Sequence, residues 1–280
     1  MGKHLHIDPF AGIAGDMFLG ACIDLGVPLQ AIEDALAPLP IQRPFSITVA
    51  ETHRHGIRGL DLKVTPPPVP TTSSISHHHD HHHAHSHEHD HAHDHSHSHE
   101  AEATCGQGGG GTYRTIMAMI EMLNVAERGK QRARAIVTRL GEAEAAVHGI
   151  ALDAVHFHEV GAVDSIVDML GSAVALEFLD VDTISTGLLP IGYGFVDCDH
   201  GRMPLPAPAT AEILRGVPHQ GVDREGETVT PTGAAIVAAL ATSFGPIPAM
   251  NVEKIGYGAG DRDPEDVPNL LRLFLGDRIT

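Results

Sequence analysis

The chain has 280 residues, 42% of them hydrophobic, and carries 36 acidic against 18 basic side chains for a formal charge of −18 with histidine neutral. That length and apolar content suffice for one large or two ordinary domains with a real core, while the shortage of Lys and Arg excludes nucleic acid and anionic membrane as partners, because phosphate binding rests on clustered cations. No apolar stretch is long enough to span a bilayer, and MGKHLHIDPFAGIAGD reaches an acid before any signal-type region develops, which predicts a cytoplasmic protein.

LHIDPFAG reads as a short strand running into a glycine turn, and AGDMFLGACIDLG sets Met17, Phe18, Ala21, Cys22 and Leu25 at helical spacing with Gly26 as the stop. A β-turn-α unit is therefore predicted to open the chain. Pro28 starts a second helix through about Ala37, and FSITVAET and RGLDLKV alternate as two strands of a hairpin whose connection, HRHGIRG, reads as loose. From Thr65 to Gly111 the composition changes: PPPVP, TTSSIS, a histidine run and GQGGGG hold almost no large apolar residue and cannot bury enough surface to fold. This segment is expected to be a disordered linker dividing a globular domain into residues 1–64 and 112–280. As a flexible coil its 47 residues would span roughly 35–40 Å, enough to sweep across a domain face.

Beyond the linker, YRTIMAMIEML and ERGKQRARAIVTRLGEAEAAVHG are amphipathic helices, and DSIVDMLGSAVALEFL is a more apolar one that should sit deeper. VDTISTGLLPIG predicts a strand leading to a glycine turn, PAPATAEILRG a short helix with proline in its first turn, and TPTGAAIVAALATSF a helix begun at a threonine cap. NVEKIGYGAG and NLLRLFLG supply final strands. Strands and helices mix without a strict βαβ period, so the fold class is α/β or α+β, a mixed sheet with several packed helices.

The histidine run carries fourteen imidazoles: His77, His78, His79, His81, His82, His83, His85, His87, His89, His91, His93, His95, His97 and His99. Neutral imidazole favours Ni, Cu and Zn over the oxygen-seeking Mg and Ca, so the tract points to transition-metal binding, with release on mild acidification as histidine protonates near pH 6.5, roughly. A purification tag would be terminal and uninterrupted, whereas this run is internal and interleaved with acids. The three cysteines, Cys22, Cys105 and Cys198, form no CxxC pair, which argues against a disulfide framework and a thiolate zinc site. Cys22 and Cys198 read as small core hydrophobes, and Cys105 as a linker bystander or an added thiolate for a metal bound by the tract.

Three ordered constellations are chemically suggestive. In DPFAGIAGDM, Asp8, Gly12, Gly15 and Asp16 form a strand-to-helix turn open to close backbone approach, where an anion or metal could sit; a structural turn with Asp16 at a helix N-terminus explains it equally. The spacing is neither a dinucleotide fingerprint nor a Walker loop. In HFHEVGAVDSIVD, His156 and His158 would share one side of an extended segment, and Asp164 and Asp168, four apart, one helix face, so that with Glu159 they could converge on an ion. The alternative has Asp164 or Ser165 capping the helix and the histidines held by hydrogen bonds. Lastly, His200 in CDHGRMPLPAPAT, Thr230 and Thr232 in TVTPTGAA, and Gly256, Gly258 and Gly260 with Asp261 and Asp263 in GYGAGDRD read as caps and turns. No spacing suggests a nucleophilic hydrolase.

DPFAGIAGDMFLGACIDLG, HFHEVGAVDSIVD, HGRMPLPAPAT and TVTPTGAAI, with the internal histidine tract, resemble the family of nickel insertion proteins for the nickel-pincer nucleotide cofactor over Asp8 to about Leu275. The resemblance implies a cytidine-triphosphate-dependent cyclometallase, using a divalent cation with the triphosphate. Its substrates would be Ni(II) and pyridinium-3,5-bisthiocarboxylic acid mononucleotide, and its product would serve a lactate-racemase-type apoenzyme. It also implies that the tract collects nickel while His156, His158, Glu159 and Asp164 act as ligands or proton acceptors. Longer members continue past NLLRLFLG into a C-terminal domain associated with cytidine triphosphate, which a second polypeptide would supply here unless the chain is a fragment. A homo-oligomer is compatible with the sequence, and non-catalytic nickel storage or delivery is the competing reading.

Overall fold

The computed structural model describes residues 2–41, 45–65, 111–157, 163–198 and 200–279. The tract from His77 to His99, Cys105, His158 and Glu159 lie outside the described residues. Seven strands form one mixed sheet, in spatial order β2 (Ser46–Arg54), β3 (Ile57–Thr65), β10 (Met250–Ala259), β11 (Leu270–Arg278), β1 (Lys3–Asp8), β4 (Val181–Thr186) and β9 (Ser243–Phe244). The pairs β1–β4, β4–β9 and β3–β10 are parallel; β1–β11, β10–β11 and β2–β3 are antiparallel. Strands from before residue 65 and after residue 111 are thus interleaved in one sheet, and the α/β expectation holds.

Helix α1 (Gly15–Asp24) lies on β3, β10 and β11, and α5 (Val163–Phe178) packs on α1 and also reaches β3 and β4. Eleven of the sixteen residues of α5 are buried, which is the depth its apolar composition predicts. Further out, α2 (Leu29–Leu36) rests on α5, and α4 (Glu127–His148) packs on α5, α6 (Pro208–Ile213) and α7 (Pro231–Leu240), with α3 (Tyr113–Met122) against α4. Along β1 the alternation His4, Leu5, His6, Ile7 sends Leu5 and Ile7 into the main core and the imidazoles to the opposite face. His4 and His6 both reach the Ser185 hydroxyl at 2.8 Å, and burial holds both below the ordinary histidine pKa. Among the described residues no helix is long and apolar enough to cross a membrane.

Several local readings need correction. The β2–β3 connection is a tight two-residue turn, with Arg54 facing Ile57 across it. His55 and Gly56 both take positive φ, 50° and 80°, and that left-handed pair matches the twist of the flanking strands. Gly256 and Gly258 belong to the interior of β10 instead of a turn. A β-carbon on Gly258 would collide with the Met17 carbonyl oxygen and one on Gly256 with that of Ala21, so bare backbone at alternate positions is what lets α1 lie against the sheet. The glycine turn after β4 leads straight into β5 (Leu189–Tyr193), which pairs in parallel with β8 (His219–Glu225). A small hairpin follows β5, formed by β6 (Phe195–Cys198) and β7 (Gly201–Pro204).

Candidate functional site

The turn between β1 and α1 is fastened to the segment before α7 by backbone hydrogen bonds from Ile13 N to Thr228 O at 2.9 Å and from Thr230 N to Ile13 O at 3.1 Å. Gly12, at φ 131°, sits so close to the Thr228 carbonyl that no side chain fits there. The Gly15 amide donates to the Thr232 hydroxyl at 3.2 Å, and a β-carbon at Gly15 would come within 2.6 Å of the Asp168 side chain. Both glycines of the opening motif are therefore contact glycines, holding the N-termini of α1 and α7 and the second turn of α5 together.

Where these elements meet is a cleft of about 540 Å³, lined among others by Asp16, Asp168, Asp197, Glu227, Thr230 and Thr232. An adjoining chamber of about 230 Å³ shares Asp16, Glu227 and Thr230 and adds Arg224 and Arg262. Asp16 turns one carboxylate oxygen back to the Met17 amide at 2.7 Å, as helix-start acids do, yet its pKa is raised because burial outweighs that bond. Asp168 is 9% exposed and held well above the ordinary carboxylate range, first by burial and then by the neighbouring charges of Asp16 and Asp164. The Asp16 amide bonds to its carboxyl and opposes the shift, as does the Lys63 ammonium, but neither prevails. Asp168 Oδ1 is buried without a hydrogen-bond partner, and so is the Ser172 hydroxyl one turn further along α5. A buried carboxylate left so incompletely satisfied is costly, and it marks a place built to meet a cation or a proton.

Four motifs far apart in sequence, DPFAGIAGD, DSIVD, LPAPAT and TVTPTGAA, thus converge on one cleft. A family model described as nickel insertion protein matches residues 5–280. The chain belongs to the nickel insertion protein family. It is 46% identical over 276 residues to a protein of Geobacter metallireducens named for nickel insertion, and 45% identical over 276 residues to one of Geobacter sulfurreducens. A like-named protein of Citrifermentans bemidjiense is 44% identical over 275 residues. These alignments cover 98% of this chain but only 61–62% of each relative, so the chain spans about three-fifths of the length of the curated nickel insertion relatives it matches. No solved structure matches it.

Within this nickel insertion family member, the residues singled out by sequence fall in different places. Asp16 and Gly15 are in the cleft. Asp8 lies outside it, ion-paired with Arg272 at 2.5 Å, and Gly12 is a packing position behind the cleft. Asp164 is exposed in the first turn of α5, where its carboxylate accepts from the Ser165 amide at 2.7 Å, and its charge acts on Asp168. His156 is exposed and bridged to Thr112. Asp197, Glu227 and Thr232 were not singled out as ligands, since nothing in their local sequence separates them from surface acids and caps. Cys198, read as core, instead lines the cleft. Among the described residues no group of three or more His, Cys, Asp or Glu side chains is placed so that it could hold a metal ion.

Thr230 caps α7 by accepting from the Gly233 amide at 3.2 Å, and its hydroxyl also meets that of Thr232 at 3.1 Å. Thr230→Ala is expected to cost about 1 kcal/mol of stability, a drop in melting temperature of roughly 2–4 °C, measurable by thermal denaturation.

Proposed function

We propose that the chain takes part in inserting Ni(II) into pyridinium-3,5-bisthiocarboxylic acid mononucleotide, forming one nickel-carbon and two nickel-sulfur bonds, with cytidine triphosphate and a divalent cation handled by the C-terminal part that its longer relatives carry. The product would pass to a lactate-racemase-type apoenzyme. The observation that carries this reading is the buried Asp168 carboxyl, with one oxygen unpartnered, beside Asp16 in the cleft. Making the metal-carbon bond displaces a ring proton, and a carboxylate whose basicity is raised by burial is suited to accept it. Asp16, Asp197 and Glu227 give the cleft a negative potential that concentrates a dication, while Arg224 and Arg262 next door offer the cationic surface that a nucleotide phosphate needs. His158 and Glu159, outside the described residues, and His156 and Asp164, which flank them in sequence, remain proposed ligands or proton acceptors. The tract from His77 to His99 would gather nickel at low concentration.

Deleting residues 77–99 from the complete protein tests the division of labour. Product is followed by mass spectrometry as the gain of one nickel and loss of the ring proton. Insertion is expected to fall at least tenfold when free nickel is limiting and to recover at high free nickel. Failure to recover would assign the protein to nickel storage and delivery.

A further inference from the structure

The β6–β7 hairpin is built unlike the strand that leads into it. Leu189, Pro190, Ile191 and Gly192 of β5 are all buried, whereas not one described residue from Gly194 to Pro204 is. Among the described residues, the only substantial packing that β6 or β7 makes with another named element is with its own partner strand. A two-stranded ribbon with nothing packed on it is marginally stable in water, so this one is held in place through its base.

That base is narrow. The Tyr193 carbonyl accepts from the Gly226 amide at 2.8 Å, which fastens the end of β5, and the Leu205 amide donates to the Gly194 carbonyl at 2.9 Å, which closes the mouth of the ribbon. Gly194 itself stands at φ 109°, a backbone that glycine adopts without the cost other residues bear. Beyond the far strand Pro208 begins α6, whose Thr210 is fully buried. Fixed structure therefore lies on both sides of the ribbon, with a glycine at the joint.

Alternation along the strands gives the ribbon two faces. Phe195, Asp197 and Arg202 share one, with the Arg202 guanidinium 4.6 Å from the centre of the Phe195 ring. Val196, Cys198 and Met203 share the other. Val196, Asp197 and Cys198 line the carboxylate cleft of about 540 Å³. Cys198 and Met203 line a further cavity of about 120 Å³, whose wall also includes Val147 and His148 at the end of α4. The ribbon is thus a thin partition between two open volumes.

We propose that the β6–β7 ribbon is a lid that swings at Gly194 and closes over the cleft when the pyridinium-3,5-bisthiocarboxylic acid mononucleotide occupies it. This deepens the insertion reading above and rests on it. Closing gives Val196 and Met203 the cover they lack in the open form, and it takes water away from the place where the nickel-carbon bond forms. Over an empty cleft the ribbon gains no such contact and stays open.

Hydrogen exchange read by mass spectrometry tests the lid on the complete protein, free and with the mononucleotide at saturation shown by equilibrium dialysis. In the free protein the amides of Gly201, Arg202 and Met203 are expected to exchange at least about a hundredfold faster than those of β5, and binding should slow them at least about tenfold. Met203 lines the further cavity and not the cleft, so slowing there reports movement of the ribbon and not cover by the ligand itself. A ribbon as slow as β5 in the free protein is a fixed wall and overturns the proposal. Binding that leaves these amides fast also overturns it, and spares the insertion reading if nickel is still inserted. If the complete protein binds no mononucleotide, lid and insertion reading fall together. Val196→Ser combined with Met203→Ser gives a second check: the melting temperature should stay within about 2 °C of wild type while the Kd for the mononucleotide rises at least about tenfold. A larger fall in melting temperature would mean that this face is already packed, and an unchanged Kd that the ribbon never closes; either result sinks the lid.

Discussion

Asp168→Asn is expected to lower nickel insertion by the complete protein at least a hundredfold while making the fold more stable at neutral pH. The change keeps shape and the acceptor for the Asp16 amide but removes the only basic function from a carboxyl that is 9% exposed and has one oxygen unpartnered. Proton-accepting side chains contribute about two to four orders of magnitude to rate, which sets the size of the loss. The stability gain should be about 1–2 kcal/mol, typical where an active-site group is held against its own solvation. Its pH dependence fixes the sign. Burial raises the native pKa, so above about pH 4 the folded protein holds a proton that the unfolded chain has given up, and stability from this group falls as pH rises through the native value. Asparagine does not titrate, so the variant's advantage should vanish near pH 4 and grow toward neutrality. Paired thermal melts at several pH values would show it; a variant no more stable than wild type at any pH would mean that the buried carboxyl is fully compensated in the native state.

Gly258→Ala is expected to be the more destructive change, costing about 4 kcal/mol or more and leaving little soluble folded protein. Here the added methyl meets backbone, the Met17 carbonyl on α1, which cannot rotate away as a side-chain tip would. Either α1 lifts off β10, carrying Asp16 out of the cleft, or the strand leaves the sheet. Gly221→Ala in β8 is the control, since nothing stands within 4 Å of a β-carbon there and its φ is ordinary. That variant should stay within about 0.5 kcal/mol of wild type by denaturant titration.

The two glycine sites also show what the sequence does and does not reveal. GYGAG carries glycines at every second position, the spacing of one strand face, but the same letters suit a turn, and only the arrival of α1 decides between them. The β1-turn-α1 opening, the threonine cap of α7 and the burial of α5 were legible because each is set by residues within a few positions of one another. The cleft was legible only in part. Asp164 and Asp168 do share a helix face at i and i+4, yet one is exposed and the other a buried carboxyl, and it is the latter that Gly15, at the start of α1, is packed against. Cys198 reads as a small core residue until Ala207 and Pro231, from elsewhere in the chain, are brought beside it at the wall of the cleft.

The pairing of β1 with β11 bears on how the chain reaches this state. Asp8 and Arg272 are 264 positions apart, and their ion pair closes a ladder at the centre of the sheet. During synthesis β1 and α1 leave the ribosome long before β10 and β11, the neighbours that cover them. Until then β1 lacks its β11 partner and α1 lacks the β10 face it packs against. Such non-local closure folds slowly and exposes sticky intermediates, so this protein should depend on chaperones while it is being made far more than its finished stability would suggest.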